Sequence, residues 1–197
     1  MSKCVLCNKK SKRLCVVLQQ NICSLCCGKK RGNEIKCTLD CSIYKKGLLT
    51  DNEKVVLKLA KESFNDEYND FFMESGIPET AGPFEEFVFT NYYGDPGIDD
   101  NDILNCYIKI YYLLQGQDWL YSLEDFELDI FKKFAEITMH NNVSINMQQK
   151  IMLRLIKSIL YVSDNKFGRR NYFELLRGML TKKGEMADLF ASDNEDY

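Results

Sequence analysis

The chain is 197 residues long, with 26 Lys and Arg against 29 Asp and Glu, 45% hydrophobic residues and 12% aromatics. That length fits one moderate domain, or a small module with a medium one, and the composition is that of a globular protein rather than a disordered or fibrous one. No run of about 18 apolar residues appears, so no membrane span is expected, and the start MSKCVLCNKKSK lacks a signal-peptide apolar stretch.

Eight of the nine cysteines fall in the first 41 residues: Cys4, Cys7, Cys15, Cys23, Cys26, Cys27, Cys37 and Cys41. With no export signal before them, they are expected in a reducing cytoplasm, where such a cluster reads as metal ligands rather than disulfides. Eight thiolates are two sets of four, the requirement of two tetrahedral Zn²⁺ ions. Thiolates alone leave an iron–sulfur cluster open.

Cys4-Val5-Leu6-Cys7 has C-x₂-C spacing, and Asn8 follows at a position that suits a left-handed residue. Cys15 to Cys23 reads as a small hairpin, a β-branched run and a polar turn. Cys23 and Cys27 are four residues apart, as are Cys37 and Cys41, the spacing of one helical face. The spacing assigns Cys4, Cys7, Cys23 and Cys27 to a first zinc, and Cys15, Cys26, Cys37 and Cys41 to a second. Cys23 and Cys26 also make a C-x₂-C pair, so Cys26 and Cys27 can exchange roles.

Residues 1–47, the cysteine-rich module, hold eleven Lys and Arg against two acids, Glu34 and Asp40, so the remaining chain is acidic. Each four-thiolate zinc site contributes two negative charges and reduces that basic excess. Lys9, Lys10, Lys12, Arg13, Lys29, Lys30 and Arg31 are candidates to contact phosphates.

A helical domain is expected over 48–183. Thr50-x-x-Glu53 has the form of a capping box, with Leu57, Ala60, Phe64, Tyr68, Phe71 and Phe72 as the apolar face of the helix it opens, and Ser75-Gly76-Ile77-Pro78 as its stop. A helix is expected from Pro83 to Tyr93, ended by the turn cluster at Gly94-Asp95-Pro96-Gly97. Asp99 or Asp100 caps the next, which carries Ile103, Leu104, Tyr107, Ile108, Tyr111 and Leu114. Ser122-Leu123-Glu124-Asp125 caps another, with Phe126, Ile130, Phe134 and Ile137 inward. Ser144 caps a further helix, with Ile151, Met152, Leu155, Ile159 and Val162 on its apolar side. A last helix is expected from Tyr172 into Thr181, closed by Lys182-Lys183-Gly184. The expected fold is mostly α: a two-zinc finger, an all-α bundle of five or six helices, and a flexible acidic tail over 184–197.

The C-x₂-C start, the Ile-Cys-Ser-Leu-x-Cys core at 22–27 and the C-x₃-C end at 37–41 resemble HIT-type and MYND-type cross-brace fingers, over residues 4–41 only. The pattern departs at Leu18, where the close partner of Cys15 would stand, so the resemblance requires Cys26 in that role. The cysteine-rich segment is also similar to uncharacterised bacterial proteins with an N-terminal module of this kind, which implies no activity. HIT and MYND fingers act mostly in protein interaction, and the resemblance implies the same here.

A closed four-thiolate site leaves no coordination position for substrate, so structural zinc is expected and no catalytic residue is assigned. Cys106 reads as a small buried hydrophobe and His140 as a helix-end residue. Asp95, Asp99, Asp100 and Asp102 read as turn and cap residues. No Walker loop, dinucleotide fingerprint or Ca²⁺ loop is present. The expected function is a non-enzymatic zinc-binding adaptor with an unidentified protein partner and no membrane. The alternative is an RNA- or DNA-associated protein that uses the basic finger.

Overall fold

A computed structural model of the chain describes residues 2–62, 78–118, 121–163 and 170–192. The chain divides into two compact units, Met1–Val55 and Val56–Tyr197. It is mostly helical, with one two-stranded sheet.

In the first unit, β1 (Leu14–Cys15) and β2 (Gln20–Asn21) pair antiparallel, with Leu14 opposite Asn21 and Cys15 opposite Gln20. The turn between them closes with Gln19 N–H donating to the Cys15 carbonyl, and Gln19 takes a left-handed conformation at φ 52°. This is the expected hairpin. Asn8, as expected, is left-handed at φ 57°, and its N–H turns back to the Cys4 carbonyl. α1 (Ser24–Lys30) follows β2, and α2 (Ser42–Glu62) runs on across the division between the units. The core of this unit is small: Cys4, Cys15, Ile22, Cys27 and Ile35 are buried, with Leu18, Cys23, Cys26, Cys37 and Ile43 packed against them. So few aliphatic side chains make a marginal core, and such modules need a further constraint to fold.

α2 does not begin at the expected capping box. Its first turn starts at Ser42, with Lys45 N–H donating to the Cys41 carbonyl, and Thr50 lies inside the helix with its hydroxyl bonded to the Lys46 carbonyl at 3.0 Å. Thr50 therefore satisfies its side chain locally, as threonine does within a helix, and caps nothing. Gly47 also lies inside α2, where a Cβ would meet the Arg31 guanidinium at 2.5 Å. The predicted remainder of that helix, with Phe64, Tyr68, Phe71 and Phe72, and its stop at 75–77 lie outside the described residues.

The second unit holds the end of α2 and five further helices: α3 (Pro78–Tyr92), α4 (Asp100–Leu113), α5 (Asp125–His140), α6 (Ile145–Ser163) and α7 (Asn171–Ser192). α4 packs on α6, α3 on α5, and α7 against α3, α4 and α6. Phe84, Tyr107, Phe134, Tyr172, Phe173, Ile130 and Met152 are fully buried between them. The Phe84 ring meets Phe134 edge-on at 5.1 Å and tilts against Tyr107 at 5.7 Å. Among the described residues no helix is long and apolar enough to cross a membrane.

Helix starts follow local rules in part. Asp99 caps α4 in a reciprocal box with Asp102, and the Ser144 hydroxyl accepts from Met147 N–H at the start of α6, both as expected. α5 is capped at Glu124 with Glu127 rather than at Ser122. α3 starts five residues before Pro83 and holds that proline in its interior. Proline leaves the carbonyl four residues back without its helical donor. Here that carbonyl belongs to Glu79, and Asn141 Nδ2 donates to it at 3.0 Å. α7 likewise continues through Gly184 to Ser192, beyond its predicted end and into the segment expected as a flexible tail.

Candidate metal centre

The first knuckle, Cys4 to Cys7, is held against the hairpin by backbone bonds. Cys4 N–H donates to the Lys9 carbonyl at 2.8 Å and Val5 N–H to the Asn21 carbonyl at 2.9 Å. The second knuckle is the entry to α1. Cys23 stands in extended conformation at the N-cap, φ −78° and ψ 157°, and its sulfur accepts from Cys26 N–H at 3.4 Å. The helix start therefore aims an amide at a sulfur, an interaction that favours the thiolate.

These two knuckles bring four sulfurs together. The Sγ atoms of Cys4, Cys7, Cys23 and Cys26 all lie within 4.8 Å of one another, and those of Cys7 and Cys23 are 3.6 Å apart. Cys4 is buried, Cys23 and Cys26 are half-buried, and Cys7 is exposed. No other three cysteine, histidine or carboxylate ligand atoms among the described residues come so close.

This quartet has Cys26 where the four-residue spacing placed Cys27, the exchange that the C-x₂-C pair Cys23 and Cys26 leaves open. The four-residue rule needs both residues on a helix, and Cys23 is outside α1. Cys26, one turn in, reaches the same side as Cys23. Cys27 faces the other way, 8% exposed, into the small core. Cys26 therefore leaves the second predicted set, of which Cys15, Cys37 and Cys41 remain.

The four sulfurs could hold one metal ion, and the electrostatics of the quartet bear on that. Burial opposes charge on Cys4, yet the amides of Cys23, Leu6 and Cys7 hold its thiol down to about 6. The Cys26 amide lowers the Cys23 thiol as well. Cys26 carries the opposite shift, pushed up to about 12 by the neighbouring Cys7 and Cys23 sulfurs. Four thiolates this close repel, and a divalent ion among them removes the conflict. Four sulfur donors with amide support fit Zn²⁺ in a closed tetrahedral site.

The remaining four cysteines occupy one region without meeting at ligand distance. Burial raises the Cys27 thiol above the ordinary range against the pull of Arg13, and the charges of Cys37, Cys41 and Cys15 add to the rise. Cys41 and Cys23 hold equivalent places, since α2 and α1 each take their first backbone bond from the carbonyl of a cysteine. Arg13 acts on Cys27 with opposite charge, and its Nη2 is buried with no hydrogen-bond partner.

The predicted phosphate-binding residues do not form one open face. Lys30 pairs with Glu34, the Arg31 guanidinium lies over Gly47, and Arg13 is turned toward Cys27. Lys9, Lys10, Lys12 and Lys29 are exposed. In the second unit, Cys106 is fully buried, with its thiol pushed well up by burial, and His140 ends α5 on the surface, as their sequence contexts imply.

Sequence reading did not single out one buried polar group. Glu85 on α3 is enclosed in the second unit, accepts from the Tyr172 hydroxyl at 2.9 Å, and is pushed up to about 7 by burial against the opposing pull of Tyr172 and Arg154. Glu85 and Glu86 stand together in an otherwise apolar run, and only the packing of α7 and α6 tells that Glu85 is the enclosed one.

No family model, curated protein or solved structure matches this chain, and the resemblance to cross-brace fingers is one of cysteine spacing alone.

Proposed function

We propose that the protein is a non-enzymatic adaptor whose N-terminal unit is a rigid, zinc-held interaction module. The observation that carries this reading is the quartet Cys4, Cys7, Cys23 and Cys26, all sulfurs within 4.8 Å. Four protein thiolates fill a tetrahedral ion, so the metal at such a site holds shape and offers no position to substrate. A unit with only five buried apolar side chains at its centre gains its fold from that ion.

A second Zn²⁺ belongs to Cys15, Cys27, Cys37 and Cys41. Four thiolates around a dication carry two excess negative charges, and the buried, unpaired Arg13 Nη2 beside Cys27 supplies compensation. The adjacent Cys26 and Cys27 then belong to different ions.

Metal analysis of protein purified without oxygen should find two zinc per chain, and affinity capture from the native cell should recover a protein in a salt-tolerant complex. A chain free of zinc, or one with its thiols oxidised in pairs, would overturn the reading. The competing reading, phosphate binding to RNA or DNA, is favoured by the exposed Lys9, Lys10 and Lys12. It predicts capture of nucleic acid that weakens steeply with salt.

A further inference from the structure

A cavity of about 500 Å³ opens on the first unit between two short stretches of chain. One wall is Lys10 to Arg13, and the other is Ile22, Cys23 and Ser24 at the second knuckle. Lys10 and Lys12 are exposed, and neither pairs with a carboxylate among the described residues. Ser11, between them, is buried with its hydroxyl unpaired. No acidic side chain lines the cavity.

Each wall continues by one residue into an exposed leucine. Leu14 follows Arg13 in β1 and is 59% exposed, and Leu25 follows Ser24 in α1 and is 57% exposed. Val5 and Leu6 of the first knuckle, whose backbone bonds to β2, are open to solvent as well. A metal module this small is expected to turn its few leucines inward, and large exposed apolar side chains on the segments that carry unpaired cations are what an interaction face needs.

We propose that this groove seats an acidic, leucine-bearing segment of a partner protein. The proposal rests on the adaptor reading and names the chemistry of its partner. Carboxylates of the segment meet Lys10 and Lys12, and its aliphatic side chains cover Leu14 and Leu25. The rim argues for a peptide over nucleic acid. Bases bind through aromatic platforms, and the finger's one aromatic, Tyr44, is half-buried against Gly32. Aliphatic side chains next to cations suit a chain that alternates apolar and acidic groups.

The test uses the full zinc-loaded chain and a fluorescein-labelled peptide of four Asp-Glu-Leu repeats, read by anisotropy. Saturable binding is expected. The pair Lys10→Glu and Lys12→Glu should weaken it on the order of tenfold. Leu14→Ser and Leu25→Ser should each weaken it with both lysines intact, and a matched peptide with Ser for Leu should not saturate. Zinc content should stay at the unsubstituted level in all of these variants, because each side chain changed is exposed and none is a ligand. Absence of saturable binding by the zinc-loaded chain overturns the proposal. So does equal binding of the leucine and serine peptides, or displacement by poly-uridylate that the leucine substitutions leave unchanged. A chain that holds zinc and captures a protein yet ignores the peptide loses this inference and keeps the adaptor reading, whereas a chain without zinc loses the adaptor reading itself.

Discussion

The backbone N–H of Cys26 donates to the sulfur of Cys23 at 3.4 Å, across the first turn of α1. The bond fixes which of two adjacent cysteines turns toward the Cys4–Cys7 knuckle. Cys26→Ser should therefore lower bound zinc by one per chain and should also remove one thiolate-to-metal band from the cobalt-substituted protein. Cys27→Ser should leave the Cys4 quartet loaded. Metal counting and cobalt absorption on the two variants check this, and equal loss of the quartet's metal in both would restore the pairing read from spacing.

Metal removal should act on the first unit and spare the second. The buried side chains of the second unit form an extensive aromatic and aliphatic core, whereas the hydrophobic core of the first unit holds five buried residues, three of them cysteines. Excess chelator should thus abolish protection of amides in the first unit while most of the helical circular dichroism persists. Loss of all helical signal on chelation would show that the two units fold as one.

Asn141 makes the bond that Pro83 denies to Glu79. Asn141→Ala should cost about 1 kcal/mol of stability, the usual magnitude for one side-chain hydrogen bond. In a Pro83→Ala background the helix regains its own donor, and the same substitution should cost less. A double-mutant cycle by urea unfolding measures the coupling; additive effects would separate the two residues.

Glu85 gives the second unit a pH dependence of a definite sign. Its folded value of about 7 lies above the ordinary 4.5, because burial disfavours the charged form. The folded state thus holds a proton that the unfolded state releases, so this group's stability contribution is full below about pH 4.5. It declines as pH rises toward 7 and is gone above it. The groups facing it are Tyr172 on α7 and Arg154 on α6, with Tyr107 on α4 bonded to Tyr172 at 3.4 Å. Glu85→Gln should flatten the profile, with a difference on the order of a few kcal/mol between pH 5 and pH 8. Unfolding free energies of both proteins across that range decide it, and parallel profiles would rule the effect out.

Much of this was legible in the residues, where the physics is local. Asn8 and the hairpin follow from single-residue conformational preference, and the Asp99 and Ser144 caps from short polar side chains ahead of an apolar period. The cysteine set is visible because thiols crowd into one stretch of an otherwise cysteine-poor chain. The choice between Cys26 and Cys27 was left open, since spacing cannot say that Cys23 stops one residue short of the helix. α3 was read as starting at Pro83 because the compensating donor, Asn141, lies 58 positions further along. Thr50 matched a capping pattern but found an acceptor in its own helix, a choice two neighbouring turns decide together. Glu85 is hidden for the same reason: a carboxylate's enclosure is a property of the helices around it.

The corner between α3 and α4 is tied to the beginning of α7. Arg170 donates to the carbonyls of Tyr92, Tyr93, Asp95 and Ile98 and lies over the Phe173 ring at 4.7 Å, while the buried Asp100 receives the N–H of Tyr172 at 3.0 Å. The residue just ahead of the last helix therefore gives donors to the final carbonyl of α3 and to the turn that follows it, and that helix takes an acceptor for its own first turn from α4. A chain cut just before Arg170 leaves the α3–α4 corner without its clasp and Asp100 without the Tyr172 amide.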